Sequence, residues 1–367
     1  MSRPDIVIVG GGMAGASLGA ELAAFARVTI LEMEDRAGYH ATGRSVAFWE
    51  ETYGGAVVQP LTTASGAMLA SPDADFHEGS FLSPRGSLHI GRAGDEGLRD
   101  AMIAEFAGAV DLRPVDPQGL VPGLRPEWTV GLMEASCQDI EVAALHQAYL
   151  RRFRRRGGEM RLAAGLEVAR RLGDGWRIET RDGAIECGLI VNAAGAWADE
   201  VAVACGVAPI GIAPLRRTVV QIRTPDLPSP DLPLIMDLRQ RFYFKPEGAG
   251  RLWLTPHDEE PSPPCDAAPE ELAVAEAIAR FEDAVDWRVG GVEHEWAGLR
   301  SFSPDRAPVY GFDCQAPGFF WFAGQGGFGI QTAPAAALIG AALLGGAALP
   351  PALASIDAAA YSPARFR

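Results

Sequence analysis

The sequence predicts an α/β chain in which a domain built on a parallel sheet is interrupted by a second domain of antiparallel strands. Three observations carry that prediction. The β-branched run Ile6–Val9, a glycine turn, a small-residue helix over Ala14–Ala24 and a second run Val28–Leu31 open the chain, which is the order of a βαβ unit with parallel strands. Two later apolar runs, Leu189–Asn192 and Phe319–Phe322, each lead into a small-residue turn, Ala193-Ala194-Gly195 and Gly324–Gly327, and read as further buried strands. Between these runs, residues 47–136 and 208–295 are richer in proline, aromatics and period-two alternation, the pattern of a sheet with one face toward a cavity. The division that follows assigns 1–46, 137–207 and 296–367 to a discontinuous nucleotide-binding domain. It assigns 47–136 and 208–295 to an inserted substrate domain.

The other elements follow in order. Asp139 is placed as the N-cap of a helix carrying Val142, Leu145, Tyr149, Leu150 and Phe153 at helical spacing and ending at Gly157-Gly158. Strands over Leu166–Leu172, Trp176–Thr180 and Ala184–Cys187, joined at Asp174-Gly175 and Asp182-Gly183, make a three-stranded meander. Arg217–Ile222 and Phe242–Lys245 are strands of the inserted domain, and prolines 261, 263 and 264 mark a loop before a helix over Pro269–Phe281. An Ala- and Leu-rich helix follows Gly327.

Composition narrows the function. The 367 residues carry 32 Lys+Arg against 47 Asp+Glu, a formal net charge of −15, which excludes a basic surface for nucleic acid. The five cysteines lie far apart with no CxxC pair, so neither a metal site nor a disulfide framework is expected, and reduced thiols point to the cytoplasm. No basic stretch precedes the first apolar run, so no signal peptide is expected, and no integral membrane segment either.

Gly10-Gly11-Gly12-Met13-Ala14-Gly15 fits GxGxxG between a strand and a helix. Gly10 permits the tight turn, Gly12 the approach of a pyrophosphate to the backbone, and Gly15 close helix–strand contact. The helix N-terminus then favours the phosphates. Glu32, 22 residues after Gly10, ends the second strand where a carboxylate accepts hydrogen bonds from ribose hydroxyls.

After Glu32 the chain runs into Gly38-Tyr39-His40-Ala41-Thr42-Gly43-Arg44-Ser45 rather than further βαβ units. That stretch, Asn192–Trp197 and Gly324–Gln331 together resemble the D-amino-acid oxidase superfamily of FAD enzymes. Arg216-Arg217, Phe242-Tyr243, Trp296–Phe302 and Gly326–Thr332 bring it closest to the bacterial D-arginine dehydrogenase type. The resemblance implies a Rossmann-like FAD-binding domain with an inserted antiparallel-sheet substrate domain. It implies that Ala14, Glu32 and Met33 hold the adenosine half, with Val168 bonding adenine through its backbone. The flavin is then wrapped by residues 41–48 (Ala41, Thr42, Gly43, Arg44, Ser45, Ala47 and Phe48 among them), with His40 in the same motif. Ala194, Gly195 and Trp197 form a second turn at the cofactor, and Gly326, Gly327, Phe328, Gly329, Ile330 and Gln331 line the ring. Reduced flavin carries negative charge near N1 and O2, where a glycine-rich turn opening a helix offers amide donors.

Oxidising an amino acid needs a cation for its carboxylate, and the planar fork of arginine suits this. Arg300 sits in the apolar Trp296–Phe302 run, and the resemblance makes it the carboxylate clamp. Alternation lets only one of Arg216 and Arg217 face inward, and the resemblance favours Arg217. It also places Tyr53 and Tyr243 against substrate and lets Gln331 reach flavin or substrate. Alternation puts Lys245 on the same strand face as Tyr243. Two departures stand out: Ser87 replaces a glutamate that pairs with a guanidinium, and Phe48 replaces a histidine. The expected activity is oxidation of D-amino acids, neutral or hydrophobic ones above D-arginine, with a quinone or another carrier as electron acceptor. A secondary-amine or 2-hydroxy-acid enzyme, and a non-catalytic flavin-binding protein, stand as alternatives.

Overall fold

The computed structural model describes residues 4–248 and 250–367. Its first sheet has six strands in the order Val309–Phe312, Phe319–Ala323, Leu189–Asn192, Ile6–Val9, Val28–Leu31 and Glu159–Arg161. All neighbours are parallel except the edge strand Val309–Phe312. The central strands read as continuous apolar runs because both faces are covered. Ile8, Ile30, Leu18, Phe153 and Phe322 share one core cluster, while Val7, Val9, Trp176, Ile190 and Trp321 share another under the meander. The helix Met13–Leu22 sits close to the sheet because its contact residues are small. A Cβ on Gly15 would lie 1.9 Å from the Gly10 carbonyl oxygen, and one on Gly19 would lie 2.9 Å from Ile30 Cδ1.

The larger sheet runs through Gly291–Phe302, Ala213–Arg223, Arg251–Thr255, Tyr243–Gly248, Leu234–Asp237, Ser87–Arg92, Trp128–Glu134 and Leu112–Val115. Its far face is sealed by the helix Glu271–Ala284 through Ala277, Phe281 and Ala284 against Ile222, Phe244 and Leu252. A small sheet joins Phe48–Trp49, Gln138–Ile140 and Leu82–Pro84 from three parts of the chain, and the loop that carries Tyr53 leaves it at Trp49.

Three expectations need correction. The larger sheet is mixed rather than antiparallel, because Leu234–Asp237 pairs in parallel with Ser87–Arg92. Those strands are distant in sequence and meet through tertiary pairing that no local alternation reports. The boundary drawn at 295/296 falls inside one unbroken strand, Gly291–Phe302. Asp139 caps no helix: it pairs within Gln138–Ile140, the helix begins at Val142 after Glu141, and the Asp139 carboxylate binds Arg85 and Lys245. Among the described residues, no helix is long and apolar enough to cross a membrane.

Candidate active site

One cavity of about 700 Å³ runs from the end of Val28–Leu31, past the first glycine turn, to the larger sheet. At its near end the backbone itself forms the wall. Gly10 has φ +107°, and a Cβ there would lie 2.4 Å from the Ala193 carbonyl oxygen. Gly10, Gly12, Met13 and Ala14 line the cavity, whereas Gly15 makes the close helix–strand contact. Glu32 is held by N–H donors, from Gly11 to Oε2 at 2.8 Å and from Glu34 to Oε1 at 3.0 Å. Each oxygen keeps a second lone pair. Burial raises its pKa, against the pull of those two bonds. Met33 lines the same end. Val168 does not: a bulge between Leu166 and Val168 turns the strand, and Leu166 and Glu167 line the cavity instead.

Midway, His40, Ala41, Thr42, Arg44, Ser45, Ala47, Phe48, Ala194, Gly195 and Trp197 line the wall. Thr42 Oγ1 accepts the Met13 N–H at 2.9 Å, tying this segment to the helix start. His40 Nε2 lies 2.8 Å from Glu34 Oε1, with its ring 4.6 Å from Trp197. The Arg44 guanidinium donates to the Ala267 and Ala297 carbonyls at 2.9 Å and pairs with Asp266, so it braces the wall. Gly43 is off the cavity and packs against the Gly38 carbonyl.

At the far end, Arg217, Arg300, Tyr53, Tyr243 and Phe48 converge. Register explains the arginines. Leu215 lies opposite Arg300 and Arg217 opposite Gly298, so both guanidinium-bearing positions share one face of the sheet. Arg216 faces the other way and pairs with Glu270 at 2.7 Å. Arg217 is 4% exposed; its Nε donates to the Asp258 carbonyl at 2.8 Å, and its Nη1 is buried with no partner. Burial, then the Arg300 charge, pulls its pKa down to about 10. Burial would lower Arg300 too, but Tyr53 and Tyr243 beside it outweigh that and raise it. The Arg300 guanidinium lies 5.7 Å over the Tyr53 ring and against Gly327, where a Cβ would meet its Cζ at 2.8 Å. Phe48 packs edge-on against Tyr53 and Tyr243, at 5.1 and 5.6 Å between centroids. Two like charges meeting in a largely desolvated pocket call for an anion between them.

Gly326, Gly327, Gly329, Ile330 and Gln331 line this end, whereas Phe328 turns into the core beside Phe302 and Val58. The Gln331 amide is already committed. It accepts the Glu50 N–H at 3.2 Å and donates to the Tyr53 carbonyl at 3.1 Å and to Thr62 Oγ1 at 2.9 Å. Gln331 therefore fixes the turn that presents Tyr53. Glu134 does the same from the other side, accepting the Glu51 N–H at 2.7 Å and the Thr52 hydroxyl at 2.6 Å. Burial, and next the Glu50 charge, pushes Glu134 up to about 7.

Ser87 is fully buried and off the cavity. Lys245 shares its strand with Tyr243, but its ammonium turns to Asp139 at 2.6 Å. Sequence reasoning missed His257, whose ring lies 5.7 Å from Tyr243 and whose pKa falls well below its ordinary value through burial and the Arg217 and Arg300 charges. Its lone position in a polar loop carries no signal. It also missed Arg181, on a meander turn, which lines the cofactor cavity.

The profile described as FAD dependent oxidoreductase matches residues 5–343. The chain belongs to that family. FAD is accordingly its cofactor, and the glycine cradle, Glu32 and the long cavity fit a dinucleotide. Among curated relatives, this FAD dependent oxidoreductase is 28% identical over 173 residues to FAD-dependent oxidoreductase domain-containing protein 1 of Xenopus laevis. That match covers 41% of the chain and 33% of the relative, so the similarity spans about a third of the relative's length. Among solved structures, glycine oxidase from Geobacillus kaustophilus superposes with TM-score 0.84 at 20% identity, covering 99% of this chain and 98% of that one. L-proline dehydrogenase from P. horikoshii gives 0.85 at 19% identity, covering 100% and 98%. Both share the family's fold.

Proposed function

We propose that this FAD enzyme oxidises α-amino acids, D-amino acids in particular, to imino acids that water hydrolyses to 2-oxo acids and ammonia. The observation that supports it most is the Arg217–Arg300 pair, two cations on one sheet face at the end of a dinucleotide cavity. A carboxylate bridging them relieves their repulsion and gives the orphaned Arg217 Nη1 a partner. When bound, FAD supplies the hydride acceptor for the substrate Cα–H. The chain's own residues do the positioning: the arginines hold the carboxylate, Tyr53 and Tyr243 border it, and Gln331 and Glu134 fix the Tyr53 turn. Correct orientation is the larger part of such a step, and no dedicated base is needed when the amine arrives neutral. The structural relatives include a glycine oxidase and an L-proline dehydrogenase, which supports the α-amino-acid class.

The side-chain end of the pocket favours neutral or hydrophobic substrates over D-arginine. Phe48 and Val219 line it, and neither Glu50 nor Glu51 reaches the cavity. The electron acceptor in this reading is a quinone or another carrier. On the same reading, 1–46, 137–207 and 296–367 bind FAD and 47–136 and 208–295 face the substrate, with the Gly291–Phe302 strand shared. An anaerobic screen of D- and L-amino acids against flavin absorbance tests the proposal. Bleaching by D-amino acids is expected, and a flavin left oxidised by every amino acid of either hand overturns it.

A further inference from the structure

Behind the turn that carries Tyr53 lies a cluster of which the reading above uses only the Glu134 hydrogen bonds. Glu50, His89 and Glu134 are 0%, 3% and 0% exposed, and each offers a ligand atom within 4.8 Å of the others. None of them lines the FAD cavity. They arrive from three separate segments: the residue after Phe48–Trp49, the strand Ser87–Arg92 and the end of Trp128–Glu134.

The cluster holds more buried polar atoms than partners. Both Glu50 carboxylate oxygens and His89 Nε2 lack a hydrogen bond, although Nε2 lies 3.2 Å from Glu50 Oε1. Ser87 Oγ is also fully buried and unpartnered. Ser87 stands two residues before His89 on the same strand face and directly opposite Glu134 in the ladder, so its hydroxyl is directed to the same place. Glu134 Oε1 accepts the Glu51 N–H and, at 3.5 Å, the Ser136 hydroxyl, while Oε2 accepts only the Thr52 hydroxyl and keeps a free lone pair. A buried carboxylate with no donor is strongly disfavoured unless a cation neutralises it. Lys245 is committed to Asp139, Arg217 and Arg300 face the cavity, and a protonated His89, 3.2 Å from Glu50 Oε1, would cancel only one of the two carboxylate charges.

We propose that Glu50, His89 and Glu134 bind one divalent transition-metal ion, with Ser87 Oγ or a water completing its shell. In the ligating state, with both carboxylates ionised and the imidazole neutral, the set sums to −2, which the ion cancels. One nitrogen and two oxygen ligands suit Zn²⁺ or Mn²⁺. Tetrahedral Zn²⁺ with bonds near 2.0–2.2 Å sets its ligand atoms roughly 3.3–3.6 Å apart, so small side-chain rotations close the site around it. The role is structural. The ion pins Glu50, whose N–H meets Gln331, and Glu134, which holds Glu51 and Thr52, and so fixes the turn ending in Tyr53. No electron passes through it, and the site does not depend on which substrate is oxidised.

The test uses the FAD-loaded full-length protein. After dialysis against a chelator and then Zn²⁺, elemental analysis is expected to find about one zinc per chain, and Zn²⁺ to raise the Tm of the stripped protein. X-ray absorption at the zinc edge should read nitrogen and oxygen neighbours with no sulfur, which separates this site from the buried Cys137. His89→Gln, with FAD still bound, should weaken zinc binding by roughly 100-fold or more, beyond the usual effect of losing an outer-shell partner. Wild-type protein that takes up no zinc or manganese and shows no Tm shift overturns the proposal: a shared proton then neutralises the cluster. Sulfur neighbours, or zinc bound equally well by His89→Gln, also overturn it.

Discussion

Replacing Arg217 by methionine separates binding from stability. The guanidinium is 4% exposed, has one buried nitrogen with no partner, and shares the pocket with the Arg300 charge. In the free enzyme its charge is only partly compensated, by Glu259 Oε1 at 3.4 Å from Nη2 and Asp258 Oδ1 at 3.8 Å from Nε, and a thioether of similar reach fills the space without it. Asp258 keeps its bonds to the Thr218 N–H and hydroxyl, both 2.8 Å, and Glu259 keeps Arg306 at 2.8 Å. The fold should lose nothing measurable, and Tm should hold or rise. Catalysis should not. A charge-assisted hydrogen bond to a carboxylate contributes about 1.5–3 kcal/mol, or roughly 10- to 150-fold in kcat/KM. Anaerobic stopped-flow reduction of the flavin, read beside thermal unfolding, measures both. Unchanged kcat/KM for every amino acid would refute the carboxylate clamp. A large fall in Tm would show that Asp258 and Glu259 compensate the charge fully and would refute the stability argument even if activity fell.

Other outcomes follow from the same contacts. Glu32→Ala removes the acceptor beside the glycine cradle and frees the Gly11 N–H, so FAD should dissociate on dilution or gel filtration; full retention at unchanged affinity argues against the assignment. D-methionine, D-leucine and D-phenylalanine should each exceed D-arginine in kcat/KM by about one to two powers of ten, because a guanidinium entering beside Phe48 sheds water without gaining a carboxylate; a clear lead for D-arginine sinks that preference. His257 is buried against Tyr243 and repelled by Arg217, Arg300 and Arg280, so it stays neutral in the fold while the unfolded chain protonates near pH 6.5. The unfolded state then binds more protons as pH drops below about 6.5, and stability falls in that direction. His257→Gln should flatten the loss of Tm between pH 7 and 5; parallel profiles would remove His257 from the cause.

What was readable in the sequence was local. The glycine turn and Glu32 are legible because strand, turn, helix and acid occupy one short stretch whose geometry the residue types dictate. Arg217 over Arg216 needed only the side-chain alternation of a strand together with the family resemblance. Most of what was not legible has its deciding partner far away in the chain. Gln331 could be placed at the site, but its amide answers to Glu50, Tyr53 and Thr62, the first of them 281 residues away. Asp139 has the chemistry of a helix cap and is drawn instead into a strand by Phe48–Trp49 and Leu82–Pro84. Beside Val168, a bulge puts both Leu166 and Glu167 on the cavity, which alternation cannot reveal. Ser87, expected at the substrate, sits opposite Glu134 in a buried ladder whose register only the folded sheet defines.

The strands Ala213–Arg223 and Gly291–Phe302 pair along nearly their whole length, and each carries one of the cavity arginines. The separation of the two positive charges is therefore set by the pitch of a hydrogen-bonded ladder and not by the posture of a loop. Phe48 and Tyr53, by contrast, belong to a two-residue strand and an irregular turn. The two cations that anchor the part common to all amino acids thus stand on a different element from Phe48, one side of the wall that meets their differing side chains. Descendants of this chain can change what they accept at Phe48 while the spacing of the two arginines stays as it is.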